Sequence, residues 1–278
     1  MEIKRQNNNP GLYLVATPIG NLKDFTFRSI DILNNSDYIL CEDTRTTLKI
    51  LNHYKIKKKL ISFHKFNEKN KLSEVIDDLK KGKIISLVSD AGTPAISDPG
   101  AVLVNECHKN KINIFPIPGP SALTAAISAS GFMGNFFFVG FLPKKESEII
   151  DILNTLAKIK AVFIFYFPSR DLKKYNNYFV KFFNNCEFLL AREMSKIHEV
   201  YIRDKIKNLS NFLDNNQKGE MTFLINNSDK TFDENINIDN EIKLLIGKMK
   251  SKDISEYLSM KLNVSKKDIY NKVIKLND

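Results

Sequence analysis

Short apolar runs alternate with amphipathic stretches over about the first 115 residues, and this alternation constrains the fold more than any other feature. "LYLVA" (12–16), "YILCED" (38–43), "KIISLVS" (83–89) and "INIFPI" (112–117) are continuous rather than alternating apolar runs. Parallel strands buried on both faces read this way. Residues 22–33, 68–81 and 100–110 carry helical patterns between them. The prediction is a set of βαβ units around a mostly parallel sheet.

A break falls at "PIPGPSA" (116–122), after which the alternation resumes. "FFFVGFL" (136–142), "AVFIFYF" (161–167), "EFLLARE" (187–193), "HEVYIRD" (198–204) and "GEMTFLI" (219–225) read as strands, with helices at 146–159 and 171–184. More strands in succession predict a second α/β domain with a mixed sheet. The polar stretch "NNSDKTFDENINIDN" (226–240) reads as a linker. In the tail, Ile254, Leu258 and Leu262, then Ile269, Val273 and Leu276, recur at helical spacing. Ser251 and Ser265 stand where N-caps belong, and "LNVS" between them is like the turn of a helix-turn-helix. The predicted division is therefore 1–117 and 118–226 as α/β domains, 227–240 as linker and 241–278 as a small helical element.

Forty-two basic residues against 32 acidic ones give a net charge of +10, which suits a phosphate-rich partner. A composition crowded with Lys, Asn and Ile and free of Trp gives a second account of the same excess. The tail, with its lysines, fits either a nucleic-acid contact or a helical dimerisation or capping element. No apolar run approaches the ~20 residues of a membrane span, and "MEIKRQNNNP" does not read as a signal peptide. Three distant cysteines, Cys41, Cys107 and Cys186, suit a reducing cytoplasm, and four scattered histidines give no reason to expect a metal.

The loops carry the chemistry. In "SDAGTPAISDPG" (89–100), Gly92 permits a left-handed turn while Pro94 and Pro99 pre-set the backbone. What such a loop offers is main-chain N–H and C=O, plus the carboxylates of Asp90 and Asp98. "ATPIGN" (16–21) and "CEDTR" (41–45) leave two other strands, and "PGPSA" (118–122) opens a helix whose N-terminus, at Ser121, suits an anionic group. No GxxxxGK[ST] occurs and no GxGxxG follows the first strand, which excludes a P-loop and disfavours a dinucleotide fold.

Taken in order, "LYLVATPIGNLKDFTFRSIDIL", "EDTRTT", "LVSDAGTPAISDPG", "PGPSALTAAISASG", "GFLPKK", "IFYFPSRDL", "AREMSK" and "KGEMTFLI" resemble the tetrapyrrole methylase superfamily over about residues 11–225. Within it they are similar to the branch that methylates the 2'-oxygen of cytidine 1402 in 16S ribosomal RNA.

The resemblance implies two α/β domains with S-adenosylmethionine in the cleft between them. Carried over, Asp90, Ala91, Gly92, Thr93, Pro94 and Ile96 line the cofactor, with Ser121, Ala122, Tyr166 and Met194 from the second domain. Phe165 and Met221 are further neighbours, and Phe165 suits core packing better. The implied reaction needs a group to take the ribose proton. Asp43, His64 and Asp98 are the leading candidates, beside Asp24, Glu42 and Glu68. The branch usually has a histidine where this chain has Phe66, and a glutamate where it has Phe167, so a paired-histidine mechanism is not supported. Arg28 and Arg45 suit phosphate contacts, and Lys266 and Lys267 suit the RNA grip of the tail. The partner implied is the small ribosomal subunit, met in the cytoplasm by a homodimer. A tetrapyrrole C-methyltransferase and a non-catalytic ribosome assembly factor are the competing readings.

Overall fold

The computed structural model describes residues 9–213, 219–228, 238–262 and 265–277. The chain starts with β1 (Gly11–Val15), α1 (Phe27–Asn35), β2 (Tyr38–Cys41), α2 (Thr44–His53) and β3 (Leu60–Ser62). It continues through α3 (Glu68–Lys80), β4 (Ile84–Val88), α4 (Ala101–Lys109) and β5 (Ile114–Ile117). All five strands are parallel, in the order β3-β2-β4-β1-β5. Alternate side chains of each strand feed opposite layers. Tyr13, Val15, Ile39, Cys41 and Val88 meet Ile32 and Leu33 of α1 and Ile50 and Leu51 of α2 on one face. Leu12, Leu40, Ile85 and Leu87 meet Val75, Ile76 and Leu79 of α3 and Leu103 of α4 on the other. Burial on both faces explains why these strands read as unbroken apolar runs.

Three elements of this half differ from the sequence reading, the first being α2 (Thr44–His53), a helix that the apolar pattern after β2 does not show. The helix anticipated at 22–33 is a 3-10 turn, Leu22–Asp24, followed by α1, because Thr26 restarts the chain. Its hydroxyl accepts a hydrogen bond from the Ser29 N–H at 3.1 Å, an N-cap. Strand β3 was not anticipated at all. It has only three residues at the sheet edge, none of them fully buried, so it leaves no apolar run to read.

The second sheet is mixed. After α5 (Ala122–Ser130) come β6 (Phe136–Phe141), α6 (Glu146–Leu156), β7 (Val162–Pro168), α7 (Leu172–Phe183), β8 (Glu187–Arg192), β9 (Val200–Lys205) and β10 (Glu220–Asn226). Their order is β6-β7-β10-β8-β9, with only the β6–β7 pair parallel. One face packs on α6 and α7 through an aromatic layer in which Phe223 stacks on Phe179 at 5.0 Å and on Phe188 at 5.3 Å. Phe165 and Phe167 lie in the same layer. The other face takes α5, with Ala126 against Ile164, Leu189 and Leu224.

Residues up to Ser228 pack as one unit, and the chain from Asp229 forms another. The second unit holds α8 (Ile238–Leu245), α9 (Ser251–Leu262) and α10 (Lys266–Asn277) around Ile242, Ile254, Leu258, Ile269 and Val273. Ser265 does occupy an N-cap position, since its carbonyl accepts from the Ile269 N–H at 3.1 Å. Ser251 does not, because the Ile254 N–H bonds to Lys250 and Ser251 is already helical. Most of the anticipated linker, and Asn263 and Val264 of the "LNVS" turn, lie outside the described residues. No helix among the described residues is long and apolar enough to cross a membrane.

Candidate functional site

Gly92 holds φ +84, a left-handed value that glycine reaches without strain. This turns the chain leaving β4 back onto the loop leaving β1. The Thr17 N–H donates to the Gly92 carbonyl at 2.9 Å and the Gly92 N–H to the Thr17 carbonyl at 3.0 Å. Two hydroxyls brace the corner, Thr17 donating to the Ser89 carbonyl at 3.0 Å and Ser89 to the Gly92 carbonyl at 3.1 Å. Further on, the Thr93 hydroxyl donates to the Pro120 carbonyl at 3.3 Å, tying the loop to the segment that opens α5.

The second sheet closes on the same place. A Cβ on Gly20 would lie 2.7 Å from the Met194 carbonyl, so only glycine lets the β1 loop approach the β8–β9 loop this closely. A hydrogen bond from the Ser195 hydroxyl to Asp24 joins the same two loops. At the bulge in β6, a Cβ on Gly140 would come 3.1 Å from the Ser97 hydroxyl.

Between these loops lies a cleft of about 360 Å3, within the range of small-molecule sites. Asp90, Ala91, Gly92, Thr93, Ile96, Ser121, Ala122, Tyr166 and Met194 all line it, as does Asp98. Pro94 is buried and outside the lining. Met221 lines the cleft, whereas Phe165 is fully buried in the aromatic layer.

The walls are apolar and acidic together. Ile19, Phe141 and Met194 face Glu42, Asp90, Asp98, Glu193 and Glu220. Among the described residues, the one cationic side chain in the lining, Lys196, is bound to Glu193 at 2.9 Å. Burial, reinforced by Glu42, pushes Asp98 up to about 6; the Ser89 hydroxyl opposes the shift, and Asp90 and Glu220 add to it. Burial also raises Asp90, against a hydrogen bond from the Asp43 N–H at 3.2 Å. Glu42 is raised by burial and by Asp90, with His64 opposing. Tyr166 is pushed up to about 12 by burial, so it stays a phenol beside the N-terminus of α5. Ser121, the N-cap of α5, makes no side-chain capping bond, which leaves its hydroxyl available.

The other anticipated residues are not in the lining. Asp43 caps α2, accepting from the Arg45 N–H at 2.8 Å, and its ion pair with the Arg45 guanidinium closes to 2.6 Å. Hydrogen bonds from Arg45 hold its carboxyl down at about 2, which makes it a poor proton acceptor. His64 sits in the loop after β3, its backbone N–H bound to Asn67 at 2.8 Å. Arg28 is exposed in the first turn of α1. Arg45 is exposed but engaged with Asp43. Lys267 is exposed at the start of α10, where Lys266 is bound to Glu256 at 2.6 Å. Sequence reasoning missed Glu193, Lys196 and Glu220. The sequence signals were the resembling stretches "AREMSK" and "KGEMTFLI", in which no single side chain stood out, and Gly219, which gives way to Glu193: a Cβ there would lie 2.1 Å from the Glu193 carboxylate.

A ligand with a positive centre, an anionic end and a flat heterocycle would find carboxylates, a helix N-terminus and apolar walls in one cleft. The family model for tetrapyrrole (corrin/porphyrin) methylases matches residues 11–210. The "Ribosomal RNA small subunit methyltransferase I" of Thermotoga maritima is 42% identical over 216 residues, covering 77% of this chain and 97% of that one. The protein of the same name from Halalkalibacterium halodurans is 37% identical over 278 residues, 96% of each chain.

This chain belongs to the ribosomal RNA small subunit methyltransferase I family of tetrapyrrole methylases.

Solved structures agree on the fold of this family. A diphthine synthase superposes with a TM-score of 0.60 at 14% identity, covering 77% of this chain and 89% of that one. A cobalt precorrin-4 methyltransferase does so at 0.57 and 18%, covering 77% and 93%. In the family member described here, the cleft is built by the same residues that make its sequence recognisable.

Proposed function

We propose that the chain methylates the 2'-oxygen of cytidine 1402 in 16S ribosomal RNA, using S-adenosylmethionine held in the cleft. The observation that carries this reading is the convergence of the 89–98 loop, the N-terminus of α5 and the 193–196 loop on one acidic, apolar-walled hollow. Glu42, Asp90 and Glu220 suit the sulfonium and ammonium charges of the cofactor, the N-terminus of α5 its carboxylate, and Ile19, Phe141 and Met194 its adenine. When bound, S-adenosylmethionine supplies an electrophilic methyl group. The remaining work falls to the protein, which aligns the hydroxyl with that group and takes its proton.

Asp98 is the residue we assign to the proton. It lines the cleft, and with a pKa near 6 it is ionised at pH 7 yet more basic than an ordinary aspartate. Small ribosomal subunits lacking the modification, incubated with tritiated S-adenosylmethionine and the full chain, should yield label in 2'-O-methylcytidine. Label on a tetrapyrrole instead, or none on RNA, would refute the reading.

The proposal extends to a cytoplasmic homodimer. Edge strand β6 supports it by leaving Phe136 and Phe137 half exposed, and light scattering of the full chain measures the mass directly.

A further inference from the structure

Phe66 is a large aromatic side chain that the packing of the fold does not use. It is 89% exposed, in the loop between β3 and α3. The loop is nonetheless well held. The His64 N–H donates to Asn67 at 2.8 Å, the Asn67 amide to the Ser62 carbonyl at 3.1 Å, and the Lys71 ammonium to the same carbonyl at 2.9 Å. The Phe66 N–H donates to the His64 ring nitrogen at 3.3 Å. A hydrogen-bonded corner therefore presents the ring largely to water, and among the described residues the aromatic partner it meets is the His64 ring, edge-on with centroids 6.0 Å apart.

Its place in the fold gives the ring a use. The loop leaves the carboxyl end of a parallel strand, the end at which the 89–98 loop builds the cleft. Glu42, a lining residue, feels His64, which opposes the rise that burial gives the Glu42 carboxyl. Lys65 and Lys69, both exposed, flank the ring in the sequence. An open π-face with exposed lysines beside it in the chain, at the end of the sheet that carries the cleft, is what a single-stranded nucleic acid uses: bases stack on the ring while phosphates meet the lysines.

We infer that Phe66 is the stacking platform for a base of the ribosomal RNA strand next to the nucleotide that enters the cleft, with Lys65 and Lys69 on the adjoining phosphates. This rests on the methyl-transfer reading above, and it assigns to the β3–α3 loop a positioning role for RNA.

Phe66→Ala, Phe66→Leu and Phe66→Tyr in the full chain test it, through affinity for small subunits lacking the modification, without methyl donor. Removing a stacking ring costs on the order of five- to a hundredfold in affinity, so the alanine and leucine variants should weaken by that factor while tyrosine stays within about twofold. KM for the subunits should rise with kcat and donor affinity unchanged, and melting should not move. Wild-type affinity in the alanine variant, or full restoration by leucine, overturns the stacking role alone. If the wild-type chain itself does not bind small subunits, the methyl-transfer reading falls and this inference with it.

Discussion

Thr17 and Gly92 exchange both backbone hydrogen bonds, at 2.9 and 3.0 Å, across an isolated two-residue bridge. The bridge joins loops leaving two neighbouring strands, β1 and β4. It uses up the polar groups of the corner's inner side and turns Asp90 and Thr93 toward the cleft. Rigidity at this corner comes from backbone pairing braced by the Thr17 and Ser89 hydroxyls.

Gly92→Val should therefore lose S-adenosylmethionine affinity by at least about tenfold in calorimetry. A Cβ at this position meets nothing closer than Ile19 at 3.6 Å, so there is room within the protein. The penalty is φ +84, which a branched residue resists, at a cost of about 1–3 kcal/mol of stability. Gly92→Ala separates the strain from the bulk. Binding by the valine variant as tight as wild type would remove the loop from the cofactor site.

Asp98 ties activity to pH in one direction and stability in the other. As proton acceptor it must be ionised, so kcat should rise with pH and level off above about 6. The folded chain keeps this proton up to about pH 6, whereas an unfolded aspartate releases it near pH ~4. The fold thus binds more protons across that window and loses stability as pH climbs through it. Asp98→Asn should lower kcat by roughly a hundredfold or more, abolish the pH step and melt higher than wild type at pH 7. A retained step at 6 would assign it to another group.

Gly20→Ala should destabilise the unit and weaken donor binding together. Its Cβ would sit 2.5 Å from Lys196 Cγ and 2.7 Å from the Met194 carbonyl. The lysine stem can swing away, but the carbonyl cannot, so the 193–199 segment must lift from the first sheet's loops. Overpacking of this kind costs about 1–3 kcal/mol, read as a lower Tm. An unchanged melt would mean that the two loops slide freely.

Much of the architecture was legible because parallel strands buried on two faces announce themselves, as β1, β2 and β4 do. The cleft was legible where backbone dictates residue type, at Gly92 and Ser121. It was not legible at Glu193, Lys196 and Glu220, which belong to loops and strand ends with no periodicity. Asp43 misled, because a carboxylate opening a helix is identical in sequence whether it caps or reacts. Only its 2.6 Å ion pair with Arg45 decides between the two. Phe167, which stands where a glutamate is common in the branch, is buried in the aromatic layer and lines the cleft as well.

In the C-terminal unit, Lys266 and Lys267 should behave differently despite being adjacent. Lys267→Ala removes one exposed charge that pairs with no acid among the described residues, and should flatten the salt dependence of RNA binding by about 0.7–0.9 in log–log slope if it meets a phosphate. Lys266→Ala removes the tie to Glu256 between α9 and α10 and should act mainly on the local melt. Filter binding at several salt concentrations checks both, and equal slopes for all three proteins would exclude a phosphate contact at either lysine.

Four residues other than glycine hold left-handed backbones around the cleft: Ala95 and Ser97 at φ 65, Glu193 at φ 53 and Ser195 at φ 68. Side chains in such conformations are held against their own preference by their surroundings. Selection for heat tolerance would be drawn to these positions, where glycine relieves the local discomfort, and each such gain would slacken a wall of the hollow. A hardened version of this protein should instead take its improvements from the part of the aromatic layer that does not reach the hollow, around Phe163, Phe179 and Phe183 under α6 and α7.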